Sequence, residues 1–307
     1  MPRQFRDRSS SAITRRRLLA SLAAFSLGLH GSANATEFPL VGPDEPFRFP
    51  DPLPDVISQV TPKAGTTTGV AFGDSIQEMI AAGVIDPTKL RELRNGLPAW
   101  VERLLAAPSD DSILFSEATA PYLLNLLWAL GLANKAAFNA KSPIGTVRIP
   151  AFASTGGWAL GRAENGYVYF NQVDAIRMTD RQQAMVLEVA TTTFRPCCNN
   201  STFFQDCNHG SALLGLLELA APQGVTLQGL YGLARIANSY WFPAHYAKTA
   251  LYFAHFRRTS WSDLPPQLVL SADYSSLTGW RRNVSDRLLR ANVRLPGETR
   301  SGQACGL

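Results

Sequence analysis

Ala120-Pro121-Tyr122-Leu123-Leu124-Asn125-Leu126-Leu127-Trp128-Ala129-Leu130-Gly131-Leu132-Ala133 is apolar nearly all round, and that property sets the architecture of the chain. A surface helix shows a single apolar stripe, whereas one that is apolar on every face belongs inside a protein. With Ser116-Glu117-Ala118-Thr119 as its start, the segment is expected to be the central helix of a mainly α domain. Pro121 and Asn125 interrupt it, and it falls short of the ~18 apolar residues that a membrane span requires. No other run in the mature chain reaches that length.

Further helices are expected on both sides. Asp74 precedes a short one with Ile76, Met79 and Ile80 on one face. Asp86-Pro87 pairs a cap residue with proline at the first helical position, opening a helix interrupted near Asn95-Gly96-Leu97-Pro98. Thr179 and Gln182 have capping-box spacing, and Pro243 suits the first turn of a helix running to about Phe256. Gly279 to Asn292 reads as a basic-faced helix with Leu288 and Leu289 inward. Between Pro143 and Phe170, glycines punctuate β-like runs such as Thr146 to Ile149 and Tyr167 to Phe170, which predicts a small β-hairpin element near 145–171. The Ser154-Thr155-Gly156-Gly157 turn lacks the pattern and lysine of a phosphate loop.

The N-terminus has a different character. Thr14-Arg15-Arg16-Arg17-Leu18-Leu19, an apolar run from Leu18 to Leu29 and the small-residue site Ala33-Asn34-Ala35 follow one another in that order. This segment resembles a twin-arginine leader. The resemblance implies a periplasmic or otherwise exported protein that crosses the membrane already folded, often with its cofactor in place. Residues 1–35 are therefore expected to be removed, leaving a Pro-rich extended arm (36–64), a single helical domain (65–295) and a flexible tail (296–307). Removing the leader also removes six arginines and one aspartate, leaving 23 basic and 23 acidic residues. A neutral mature chain without a basic stripe argues against nucleic acid as a partner.

Chemical content is concentrated in Arg195-Pro196-Cys197-Cys198-Asn199-Asn200-Ser201-Thr202-Phe203-Phe204-Gln205-Asp206-Cys207-Asn208-His209-Gly210, which holds three of the four cysteines. The C-C-x8-C-x-H spacing matches neither C-x-x-C redox motifs, nor C-x-x-C-H haem attachment, nor paired C-x2-C zinc clips. The donor types do suit a soft ion. Cys197, Cys198, Cys207 and His209, with Cys305 from the tail as a further member, would offer sulfur and imidazole to copper or zinc. An apolar helix is expected from Ser211, so the loop would present its thiols at a helix N-terminus where thiolate is favoured. Arg195 would act in the same direction, and Asp206 would oppose it unless it orients His209.

The competing reading is a disulfide-stapled loop in a non-enzymatic structural or interaction protein, with the aromatic cluster Tyr240-Trp241-Phe242 meeting a protein partner. Adjacent cysteines have α-carbons ~3.8 Å apart, below the usual ~4.4–6.8 Å of a bridge, so Cys197 and Cys198 are poorly placed to pair together. Cys198 with Cys207 would close a ten-residue loop, a link worth about 3 kcal/mol. Thiol catalysis by Cys207 with His209 as base is the weakest alternative, because side chains two positions apart rarely face each other in regular structure. His245, Glu188 and Glu218 lie on expected neighbouring helices as outside candidates for the site.

Overall fold

A computed structural model describes residues 55–145, 149–152, 155 and 157–296. The leader, the arm up to residue 54, the run 146–148 and Cys305 lie outside those residues. The described residues belong to one compact unit. It is mainly helical, with one two-stranded antiparallel sheet.

Helix α1 (Val56–Val60) starts the described chain, with Val56 and Val60 buried. The end of the Pro-rich segment therefore holds a helical turn where an extended arm was expected, because Asp55 caps it through Ser58 and its two valines find the core. Strand β1 (Thr66–Thr67), helices α2 (Ser75–Ala81), α3 (Pro87–Arg94) and α4 (Ala99–Ala106), and strand β2 (Leu114–Phe115) follow. Asp86 accepts hydrogen bonds from Thr88 N and Lys89 N, and Asn95 ends α3 with a left-handed φ of 52°. Local sequence thus sets both ends of that helix.

Helix α5 (Ala120–Ala133) is the core element, with eleven of its fourteen residues buried. Ser116 and Thr119 bond each other's backbone N–H just before it. Asn125, its one interior amide, is satisfied by the Arg94 guanidinium. Burying each leucine of this helix contributes about 1.5–3 kcal/mol.

The next helices are α6 (Asp180–Thr192), α7 (Asn208–Ala220), α8 (Leu227–Trp241) and α9 (Pro243–Arg257). Both side-chain to backbone bonds of the Thr179/Gln182 capping box are present at the start of α6. The short helices α10 (Pro266–Val269), α11 (Ala272–Ser275) and α12 (Leu277–Trp280) lead through a π turn, Arg281–Ser285, into α13 (Asp286–Arg290).

The most extensive helix pair is α5 against α7. Two glycines allow it. A Cβ on Gly131 would fall 1.8 Å from Ser211 O, and one on Gly215 would fall 2.3 Å from Leu127 O. The backbones touch directly, and this contact fixes where the N-terminus of α7 sits.

Two local expectations change. The small sheet pairs Thr66 with Phe115 and Thr67 with Leu114, far from the 145–171 segment. There, Gly166–Tyr169 is a short 3-10 turn capped by the Asn165 side chain, and residues 146–148 are not described. The cause is packing: Trp158 lies 4.7 Å from Trp128 of α5, and Gly166 sits so close to the Trp158 indole that no Cβ would fit. Leu289 is 62% exposed while Leu288 is buried, because the π turn rotates the helical register before α13.

Candidate metal centre

The cysteine loop is closed at its base by the end of α6. Phe194 bridges Ser201, Thr202 N bonds to Thr193 O, and the Thr193 and Thr202 hydroxyls lie 3.0 Å apart. Two neighbouring segments, at Thr155 and at Leu277–Thr278, hold the loop from outside. The Thr155 hydroxyl donates to Gln205 O at 2.8 Å, Leu277 N donates to Cys198 O at 2.9 Å, and Asn199 accepts from Thr278. The buried Gln205 side chain is itself bonded to Asn139 and Ser211. Hydrogen bonds from outside thus anchor the loop at Cys198, Asn199, Thr202 and Gln205.

Arg195 is the floor of the site. Its side chain is fully buried, and it donates to Cys207 Sγ at 3.2 Å, Asp206 Oδ1 at 2.7 Å, Phe204 O at 3.2 Å and Asn200 O at 3.3 Å. Asp206 also accepts from Asn200 Nδ2 at 2.7 Å. The carboxylate therefore neutralises Arg195, a role different from the expected orienting of His209. Gly210 makes this possible, since a Cβ there would lie 2.6 Å from Arg195 Nη2.

Helix α7 begins at Asn208, three residues earlier than Ser211. Cys207 is its N-cap and His209 lies in its first turn. Cys197 Sγ is 3.8 Å from Cys207 Sγ, and these two sulfurs and a ring nitrogen of His209 all lie within 4.8 Å of one another. A second grouping of the same kind contains Cys198, Asp206 and Cys207, so Cys207 belongs to both. Cys197 is exposed, Cys198 and Cys207 are half-buried, and all three are free thiols. These Cys, His and Asp groups can hold a metal ion.

Electrostatics distinguish the sulfurs. Cys207 is held well below the ordinary thiol range, first by donation from Cys197 and Cys198, then, against burial, by the Arg195 charge and His209. Cys197 is pushed up because its thiol is engaged by Cys198 and Cys207. For Cys198 the contact with Cys197 acts downward, but Cys207 and burial outweigh it. Burial lowers Arg195, and its sulfur neighbours, Cys207 foremost, more than restore it. The site thus sets one sulfur, that of Cys207, against a buried guanidinium, with the Cys197 and Cys198 sulfurs beside it.

An aromatic wall adjoins the site. The His209 ring lies 4.6 Å from Phe242 and 5.9 Å from Trp241. His245 packs 4.4 Å from Trp280 and is pushed down to about 4 by burial, so it is neutral near pH 7. It belongs to neither ligand grouping, and neither does Glu188. Glu218 is buried against Asn134 in the α5–α7 interface. Sequence reasoning singled out candidate donor atoms but missed Thr155, Asn200 and Gln205, whose roles depend on the folded loop and its neighbours. The glycine directly after His209 was the one local sign that something large had to pass there. Comparison of the chain with protein-family models, curated proteins and solved structures finds no match.

Proposed function

We propose that this is an exported soft-metal-binding protein that takes one copper or zinc ion at Cys197, Cys207 and His209 and serves in metal handling or redox chemistry. One distance carries the reading. Two sulfurs bound at ~2.3 Å to one tetrahedral ion are about 3.8 Å apart, and Cys197 Sγ and Cys207 Sγ stand 3.8 Å apart. The His209 ring supplies a borderline nitrogen at the same point, a donor that a bridge would not use. Cys198 is a nearby replacement or additional sulfur, and Cys305 is a further candidate from outside the described residues.

The test is anaerobic purification of the mature chain without chelator, followed by elemental analysis and thiol counting on one sample. One equivalent of copper or zinc is expected, with at least a tenfold loss of affinity in Cys207→Ser and in His209→Ala. Metal-free, fully folded protein that takes up neither ion would overturn the proposal. Export is checked separately: Arg15→Lys with Arg16→Lys should leave the 307-residue precursor inside the cell.

A further inference from the structure

We infer that Cys197 and Cys207 also form a thiol–disulfide couple that passes its disulfide to cysteine pairs in loosely folded polypeptides. This chemistry uses the same two sulfurs without a metal, so a chelator separates it from ion binding.

The asymmetry of the pair assigns the roles. Cys197 is exposed, while Cys207 is half-buried, caps α7 and accepts a hydrogen bond from the buried Arg195 Nε at 3.2 Å. When the two are bridged, an incoming substrate thiolate attacks the exposed Cys197 Sγ. The S–S bond breaks and its electron pair goes to Cys207 Sγ, where the guanidinium and the first turn of α7 receive the negative charge. A new bond joins the substrate sulfur to Cys197. The second substrate thiolate then attacks that substrate sulfur and expels Cys197, which takes a proton from water. The substrate dithiol has lost two electrons and two protons, and the Cys197/Cys207 pair has gained two electrons. A low-molecular-weight disulfide recharges the pair by the same exchange in reverse.

Stabilising the reduced form makes a couple more oxidising. Arg195 and the helix N-terminus act only on the reduced form, because a disulfide sulfur bears no charge to stabilise. The surroundings of Cys197 fit a polypeptide substrate. Leu277 is 44% exposed, and its backbone N–H is bonded to Cys198 O. Trp241 and Phe242 are half-exposed beside His209, whose ring nitrogen lies within 4.8 Å of Cys197 Sγ. The sulfurs must close from 3.8 Å to ~2.05 Å, and of the two residues Cys197 is the one on an exposed turn.

The mature chain is equilibrated with EDTA in reduced and oxidised glutathione mixtures, then acid-quenched, alkylated and mapped by mass spectrometry. The expected result is one bridge, between Cys197 and Cys207. In Arg195→Lys the midpoint should move at least tenfold toward the oxidised form, which is about 30 mV. The pre-oxidised chain is also mixed with a synthetic dithiol peptide, and stoichiometric conversion to the cyclic peptide is expected. That transfer should be lost in Cys197→Ser. The peptide measurement needs no Arg195 variant, so it remains decisive if Arg195→Lys does not fold. Bridging of Cys198 instead, an unmoved midpoint in folded Arg195→Lys, or a peptide left reduced would overturn the inference. Metal content measured without chelator is untouched by any of these results.

Discussion

At the scale of single residues, Arg195 and Gly210 decide whether the site exists. Arg195 is fully buried and bonded to Cys207, Asp206 and two carbonyls, and Gly210 leaves the space it fills. Replacing a helical glycine by alanine ordinarily stabilises by about 1 kcal/mol. Overpacking costs about 1–3 kcal/mol, and the guanidinium that a Gly210→Ala methyl would strike at 2.6 Å is held on all sides. Gly210→Ala is therefore expected to be net destabilising in urea unfolding and to weaken metal binding at least tenfold. Arg195→Met strands Asp206, whose side chain is only 13% exposed, and should cost about 3–5 kcal/mol. Adding Asp206→Asn should recover a large part of that loss. Equal stability of the single and double variants would show that the ion pair is not the cause. The thiols and His209 were legible in the sequence because their donor chemistry is visible in isolation. Asp206's partner was not, since an acid three residues before a histidine looks like its acceptor until the fold places Arg195 against it.

Among the elements, α5 and α7 determine where the thiols point. Their backbones meet at Gly131 and Gly215, which fixes the N-terminus of α7 and therefore Cys207 and His209. A methyl at Gly131 would strike the Ser211 carbonyl, a backbone atom that cannot rotate away. Gly131→Ala is expected to cost about 3 kcal/mol or more, beyond any helix-propensity gain. Because Ser211 is only four residues from Cys207, metal affinity should fall with stability. A folded variant with unchanged unfolding midpoint and affinity would refute the argument. The central position of α5 was readable from its all-round apolar character, and the Thr179/Gln182 box and Asp86-Pro87 start were readable from local hydrogen-bonding rules. The 145–171 hairpin was not, because Tyr167 to Phe170 has strand-like residues but no partner strand, and Trp158 claims the space.

Over the whole molecule, Glu218 links stability to pH. It is fully buried between α5 and α7, where burial raises its carboxyl well above the ordinary range and the Asn134 amide opposes that only in part. Its Oε1 has no hydrogen-bond partner. Above the ordinary carboxylate pKa the unfolded chain has released this proton while the native chain retains it. The native state then binds more protons, so stability falls as pH rises. The slope is about 1.4 kcal/mol per pH unit until Glu218 itself ionises in the native state. Glu218→Gln should remove this slope. Its advantage over the parent in urea unfolding is expected to grow from pH 5 upward, and parallel profiles would sink the assignment. Among the described residues no helix is long and apolar enough to cross a membrane, in line with the interruptions at Pro121 and Asn125.

The sequence by itself determined the helical class, the central helix, several helix ends and the identity of the metal-competent side chains. Each of these follows from periodicity, capping or donor type within a short window. The tertiary structure alone decided which cysteine faces which: Cys207 stands opposite Cys197 at 3.8 Å, although the ten-residue spacing had directed attention to Cys198. It also decided that Arg195 lies buried beneath the sulfurs and that Thr155, Asn139 and Leu277 hold their loop. Those outcomes depend on α5 and α7 touching backbone to backbone and on contacts across tens of residues, which no local rule encodes.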